Sequence, residues 1–172
     1  MIWIKGKTVM LGYYEDEEAT AAVMNDGWFN SGDIGYMDED GFIYITGRSK
    51  NVIVTQNGKN IYPEEIETLL SKVDEIAESM VYGKEVAGEK ELIITARVIP
   101  DYEKIEELHG AGLNEEEVYK VIWEQIRKVN RKLSNYKTIK KLEIKTEQFE
   151  KTSTMKIKRY AELAKDKETQ QK

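Results

Sequence analysis

The sequence contains no cysteine, which excludes disulfides and thiolate metal sites and suits a reducing cytoplasm. Its single histidine, His109, makes a histidine-based metal cluster impossible. Long apolar runs are missing too: nothing approaches the ~18 residues that a membrane span needs. The N-terminal stretch MIWIKGKTVMLGYYEDEEAT lacks the basic region, apolar core and small-residue cleavage site of a signal peptide. Internal repeats and low-complexity segments are absent.

What is present fits one ordinary domain, or a small domain with an appendage: 172 residues, 40% hydrophobic and 34% charged. The net charge of −6 conceals an asymmetry. Through Tyr119 there are 10 basic and 25 acidic residues, whereas from Lys120 onward there are 16 basic and 7 acidic. A basic C-terminal third can mark a nucleic-acid or membrane surface, a phosphate-facing surface, or only a solvated lysine-rich face. Charge alone does not separate these.

Periodicity predicts short strands over residues 2–14 and a small helix over 15–24, followed by the glycine-rich NDGWFNSGDIG. YMDEDGFIYITG reads as a hairpin turning at Asp40-Gly41, and 51–55 as a short strand. Pro63 opens a helix (PEEIETLLSKV), with acids in its first turn. Two strands, ESMVYGKE and ELIITARVIP, flank a polar turn at AGEK, and 101–113 reads as irregular. Asn114 and Glu117 make a weaker version of a capping box before a long amphipathic helix with Val118, Ile122, Ile126, Val129 and Leu133 on one face. A strand at KKLEIK, a loop at TEQFEKTST, a helix at KIKRYAELAKDK and a frayed tail from Lys167 follow. Residues 50–172 thus form a small α+β domain, and the first 49, mostly strands and turns, are too few for a core of their own.

Four ordered segments carry the chemistry: WFNSGD at 28–33, GRSKNVIV at 47–54, GKNIYPEEIE at 58–67 and TSTMKIKR at 152–159. Singly each is bland, since aspartate after glycine usually serves a turn and a lone lysine is usually a solvated charge. Together the sequence resembles the adenylate-forming superfamily of acyl-CoA synthetases, luciferases and peptide-synthetase adenylation domains. The segments match its Trp-aromatic-x-Thr/Ser-Gly-Asp motif, its Gly-Arg-x-Asp/Lys segment, its Gly-x-x-Ile-x-Pro-x-Glu-Ile-Glu motif and its lysine-containing loop. The wording SKNVIVTQNGKNIYPEEIE is most similar to the long-chain fatty acyl-CoA synthetases.

The resemblance implies a fold and a division of labour. Residues 1–49 would be the last strands of a large adenylate-binding domain, and 50–172 the mobile C-terminal lid, a short sheet flanked by helices. Asp33 would accept hydrogen bonds from both ribose hydroxyls of ATP or acyl-AMP, a task suited to an acceptor-only carboxylate. Arg48 would lie near the ribose and phosphate, with small Gly32 and Gly35 allowing close backbone approach. Lys50 takes the hinge position, where the family has Asp or Lys. Gly58 would line the pantetheine tunnel of CoA. Lys156 would be the mobile catalytic lysine that bridges the attacking carboxylate and the ATP phosphates. The family usually has glycine before this lysine; here Met155 stands there, a change that could stiffen the loop or shift the lysine.

The implied reaction is that of an AMP-forming fatty acid–CoA ligase: carboxylate and ATP give acyl-AMP and pyrophosphate, and CoA or a carrier-protein pantetheine then takes the acyl group. ATP or AMP and CoA are the implied cofactors. Magnesium is expected through a large N-terminal domain, because the triphosphate loop and adenine-binding motif are not found here. The chain by itself is therefore expected to form no acyl-AMP. An alternative of another class is a non-catalytic module docking a carrier protein or partner chain. Nucleic-acid binding is disfavoured because aromatic-basic interleaving is missing.

Overall fold

The computed structural model describes residues 1–86, 88 and 92–169, with backbone alone for the last four of these. Of the expected turn at AGEK all but Gly88 falls outside them, as does the end of the expected frayed tail. The helix that reaches this tail continues through Thr169. The chain divides into two compact units, Met1–Glu65 and Ile66–Lys172.

The first unit is built from short strands. β1 (Trp3–Ile4) is followed by α1 (Glu17–Val23), β2 (Met24–Asn25) and β3 (Trp28–Asn30), and the three strands pair in the order β1-β3-β2. The side chain of Asp16 accepts from Ala19 N at 2.8 Å, and Glu17 and Glu18 occupy the first turn of α1. Strands expected through residue 14 reduce to β1; Val9 and Leu11 lie in bends, Val9 half-buried and Leu11 fully exposed, so their alternation does not build one covered face. β4 (Asp33–Met37) and β5 (Ile43–Arg48) form the predicted antiparallel hairpin, turning through Asp38–Phe42. The strand expected at 51–55 begins instead as a 3₁₀ turn, Ser49–Asn51, and only then becomes β6 (Ile53–Val54), which pairs with β7 (Asn60–Ile61).

α2 (Pro63–Leu70) runs across the division between the units. Proline at its first position sacrifices an N–H that needs no helical partner, and Ile66 and Leu70, one turn apart, are fully buried.

The second unit is an α+β layer structure. β8 (Ile76–Lys84) and β9 (Ile93–Pro100) are antiparallel. The chain then passes through α3 (Tyr102–His109) and α4 (Glu115–Asn130) to β10 (Lys141–Ile144), which pairs parallel to β9. A parallel neighbour needs such a crossover connection. The order is β10-β9-β8, so β8 is an edge strand. α4 keeps its capping box, with Glu117 N donating to Asn114 Oδ1 and Asn114 N to Glu117 Oε2, and buries Val118, Ile122, Ile126 and Val129.

α3 corrects the expectation of an irregular 101–113. Asp101 caps it by accepting from Lys104 N, but Ile105 is its one buried residue, so the segment shows no apolar stripe. Buried Glu75 ties α3 to α4 by accepting from Gln125 Nε2 at 2.6 Å and pairing with His109 Nε2 at 3.0 Å. The last helix, α5 (Arg159–Thr169), starts three residues after the expected Lys156, because 150–158 form a small hairpin. Alternation along the strands gives the sheet two faces. One carries Val81, Ala96, Val98 and Leu142, all buried; the other carries Met80 and Tyr82, against which Phe149, Ile99, Ile157 and Leu163 pack.

Candidate functional site

Asp33 is the first residue of β4 and Arg48 the last of β5, and the hairpin register sets them directly opposite. Arg48 Nε donates to Asp33 Oδ1 at 2.9 Å; the arginine side chain is 55% exposed and the aspartate 21%. Among the described residues, Asp33 Oδ2 and the outer guanidinium nitrogens take no further partner. The pair therefore presents an acceptor and a fork of donors side by side, facing solvent, a set suited to hydroxyl and phosphate groups. Its backbone is held firmly: Ile2 N donates to Asp33 O at 2.8 Å, Asp33 N to Ser31 Oγ at 3.1 Å, and Ser49 N to Gly32 O at 2.9 Å.

Glycines keep this hairpin closed. A methyl group on Gly35 would fall 2.3 Å from the carbonyl oxygen of Tyr44, at the irregularity between Ile34 and Gly35. On buried Gly47 it would meet Glu64 Oε2 at 2.7 Å and Tyr62 at 3.2 Å. The Gly-Arg segment thus lies against the GKNIYPEEIE segment, and Asn51 Nδ2 also donates to Glu64 Oε1 at 2.5 Å. This contact escaped the sequence reading, although both motifs were in view.

Lys50 is an exposed residue in the 3₁₀ turn after β5. Gly58 sits in the turn between β6 and β7 with φ 71°, and a β-carbon added to it would meet nothing within 4 Å. Its N–H donates to Thr55 O at 2.9 Å. A β-carbon here would be strained by the left-handed backbone rather than by a neighbour.

Lys156 lies in the second unit, on the hairpin at 150–158. Lys151 and Ile157 bridge antiparallel. The tip closes through Thr152 N to Lys156 O at 2.8 Å, Met155 N to Thr152 O at 2.9 Å and Lys156 N to Thr152 Oγ1 at 3.2 Å. Met155 has φ 61°, the left-handed region that favours glycine. A residue with a β-carbon costs about 1–2 kcal/mol there. This turn geometry is the physical reason a glycine suits the position before the lysine.

Charge distinguishes Lys156 from its neighbours. Lys151 pairs with Glu78 at 2.6 Å, Lys158 with Glu150 at 2.8 Å, Arg159 with Glu67, and Lys165 with Glu162 at 3.2 Å. Lys156 is the one cation of 150–165 that takes no acid among the described residues. The surrounding acids are tuned to stay ionised. Glu150 is held below its usual range by the hydrogen bond from Lys158. Burial alone would raise Glu162, but the backbone N–H of Glu150, then Lys165 and Lys145, lower it on balance.

Much of the basic C-terminal third is consequently spent within the fold, partly on acids from the acidic first part such as Glu67 and Glu78. Among the described residues no group of three or more His, Asp or Glu is arranged to hold a metal ion, so no step through magnesium is derived from this chain. No helix among them is long and apolar enough to cross a membrane.

Comparison with known proteins identifies the family. A family model described as the AMP-binding enzyme C-terminal domain matches residues 50–168. A long-chain-fatty-acid–CoA ligase of Mycobacterium tuberculosis is 33% identical over 172 residues, covering 91% of this chain and 28% of that protein. An indoleacetate–CoA ligase of Aromatoleum aromaticum is 44% identical over 101 residues, 58% of this chain and 19% of that protein. Among solved structures, the O-succinylbenzoate CoA synthetase of Bacillus subtilis, in complex with ATP and a magnesium ion, aligns with TM-score 0.69 and 27% identity over 92% of this chain and 29% of that one. The chain thus spans less than a third of the length of these relatives. It belongs to the adenylate-forming, AMP-binding enzyme family, and its residues 50–168 are that family's C-terminal domain.

Proposed function

We propose that this chain is the C-terminal part of an AMP-forming acyl-CoA ligase that acts on a fatty acid: carboxylate and ATP give acyl-AMP and pyrophosphate, then the CoA thiol displaces AMP to give acyl-CoA. Residues 1–49 complete a large domain that supplies the acyl pocket, the triphosphate site and magnesium; residues 50–172 are the mobile lid. Asp33 takes the ribose hydroxyls and Arg48 stands beside ribose and phosphate. Lys50 is the pivot, and Gly58 borders the path of the pantetheine arm.

Lys156 enters during adenylation, where its ammonium offsets charge developing on the α-phosphate and holds the carboxylate in line. The observation that supports this reading best is that, among the described residues, no acid claims its charge. Every other cation of 150–165 is committed to an acid, while Lys156 is exposed on a hydrogen-bonded hairpin tip.

The test is Lys156→Ala in the ligase that carries this segment. Acyl-AMP formation, read by pyrophosphate release, is expected to fall about a hundredfold or more. Thioester formation from supplied acyl-AMP should persist. Equal loss of both half-reactions would sink the assignment, and unchanged adenylation would sink the role of Lys156 altogether.

A further inference from the structure

Residues 152–156 are exposed, so the position of Lys156 is decided by the two arms that carry the hairpin tip rather than by the tip itself. Both arms are tied to the same edge strand. On one side, Arg159 donates from Nη1 to Val81 O at 2.8 Å and from Nη2 to both carboxylate oxygens of Glu67 on α2. Glu67 Oε1 in turn accepts from Val81 N at 2.6 Å. Val81 lies on β8, and because β8 has only β9 beside it, the peptide groups facing away from β9 need partners. Here one glutamate and one arginine provide them, and by binding each other they close a ring joining α2, β8 and the first residue of α5.

On the other side, Lys151 Nζ pairs with Glu78 Oε1 at 2.6 Å. Glu78 stands three residues before Val81 on the same strand, a separation of about 10 Å along it. Between the two ties lies a cleft of about 400 Å³, lined among others by Ser71, Ser79, Met155 and Ile157. The hairpin therefore spans the cleft as a strap fastened at both ends, with Lys156 at its crest.

The chemistry of the two fastenings differs. The Glu67 and Arg159 side chains are only about a fifth exposed (19% and 20%), and the contact engages both carboxylate oxygens. Because Nη2 takes both carboxylate oxygens while Nη1 holds Val81 O, the planar guanidinium is fixed in orientation as well as distance, which a single ammonium cannot do. Lys151–Glu78 is a point contact that sets distance alone.

We infer that Glu67 and Arg159 are positioning residues for Lys156, with Glu78 and Lys151 as a weaker second tie. They touch no reactant; they hold the hairpin so that its lysine enters the adenylation site in one orientation. The inference rests on the proposed role of Lys156, and its test separates the two ideas.

The first arm uses the 172-residue chain and reads amide hydrogen exchange. Glu67→Gln and Arg159→Lys should speed exchange at Thr152, Met155 and Lys158 by about tenfold, the loss expected of one charge-assisted hydrogen bond. The amides of Ala96 to Val98 should hold their rates. Unchanged hairpin amides, or an equal change across the whole unit, would overturn positioning in favour of general stability. Lys151→Gln, on the more exposed arm, gives the same readout with a smaller change if a Glu67 variant fails to fold.

The second arm uses the ligase carrying the segment. In Glu67→Gln, kcat for acyl-AMP formation should fall about ten- to a hundredfold with KM for ATP within about twofold, because the lysine is misplaced and not removed. Arg159→Lys should recover part of that loss relative to Arg159→Ala. If Lys156→Ala abolishes adenylation while Glu67→Gln leaves it intact, positioning is wrong and the role of Lys156 stands. If Lys156→Ala leaves adenylation intact, both fall.

Discussion

The two compact units treat their apolar residues in opposite ways. Among the described residues, every buried hydrophobic side chain except Ile53, Ile61 and Pro63 belongs to Ile66–Lys172. In Met1–Glu65 large side chains stay on the surface: Tyr36, Met37, Phe42, Ile43 and Ile45 of the β4–β5 hairpin are each 59–67% exposed. Tyr36 and Tyr44 stack on each other at 5.2 Å across that hairpin. A sheet is stabilised by covering one face, so the second unit holds itself together while the first carries an apolar surface that it does not cover. The chemical groups divide otherwise: Asp33 and Arg48 sit in the poorly covered unit, and Lys156 in the self-supporting one.

The sharpest way to break this contrast is to remove a core side chain from the second unit. Ile122 is fully buried on α4, and Ile122→Ala deletes three carbons that the packed layers cannot fully replace. Denaturant melts of the chain should show about 3 kcal/mol lost from the transition of residues 66–172. A loss under about 1 kcal/mol would mean that this core is not the source of its stability.

A smaller effect distinguishes apolar from polar support within the same unit. Glu143 accepts from Tyr82 Oη at 2.7 Å, Lys84 Nζ at 2.6 Å and Arg97 Nη2 at 2.8 Å. Burial opposes its ionisation, but hydrogen bonds from Lys84, Tyr82 and Arg97 prevail and pull its pKa from about 4.5 down to about 2. A carboxyl whose folded pKa lies below its unfolded one contributes fully above the unfolded value and loses that contribution as pH falls through the folded value. Stability should therefore drop between about pH 5 and pH 2 by about 2–3 kcal/mol. Glu143→Gln should flatten that acid limb. An unchanged limb in the variant would remove this network from the account of stability.

These contrasts also explain what could be read from the chain beforehand. The four motifs specified the family, and Asn114 with Glu117 announced the cap of α4, because both signals are written in neighbouring residues. α3 stayed hidden since one buried residue, Ile105, leaves no periodic stripe. Val9 and Leu11 suggested strands because alternation predicts a covered face, and the first unit leaves Leu11 fully exposed. The ties around Lys156 join residues as much as 92 positions apart, as in Glu67 and Arg159, and no local pattern announces such a partner. The same ties explain why charge alone left the basic C-terminal third open: Lys151 and Arg159 meet Glu78 and Glu67 from the other half of the chain, and no count of charges shows that pairing.

The smallest expected effect tests the uncovered unit directly. Ile45→Thr keeps the β-branch that suits β5 and replaces apolar surface by a hydroxyl at a position that is 65% exposed. In the 172-residue chain the change should be within about 0.5 kcal/mol, read from amide exchange at Tyr44 and Gly47. In the ligase that carries the segment, where the proposed large domain covers this hairpin, the same hydroxyl would lose its water. It should then cost about 1–3 kcal/mol unless it finds a hydrogen-bond partner. Equal and small effects in both settings would mean that the hairpin face stays in water even in the longer protein. A large effect in the short chain alone would mean that the first unit has a core of its own, and the contrast between the units would collapse.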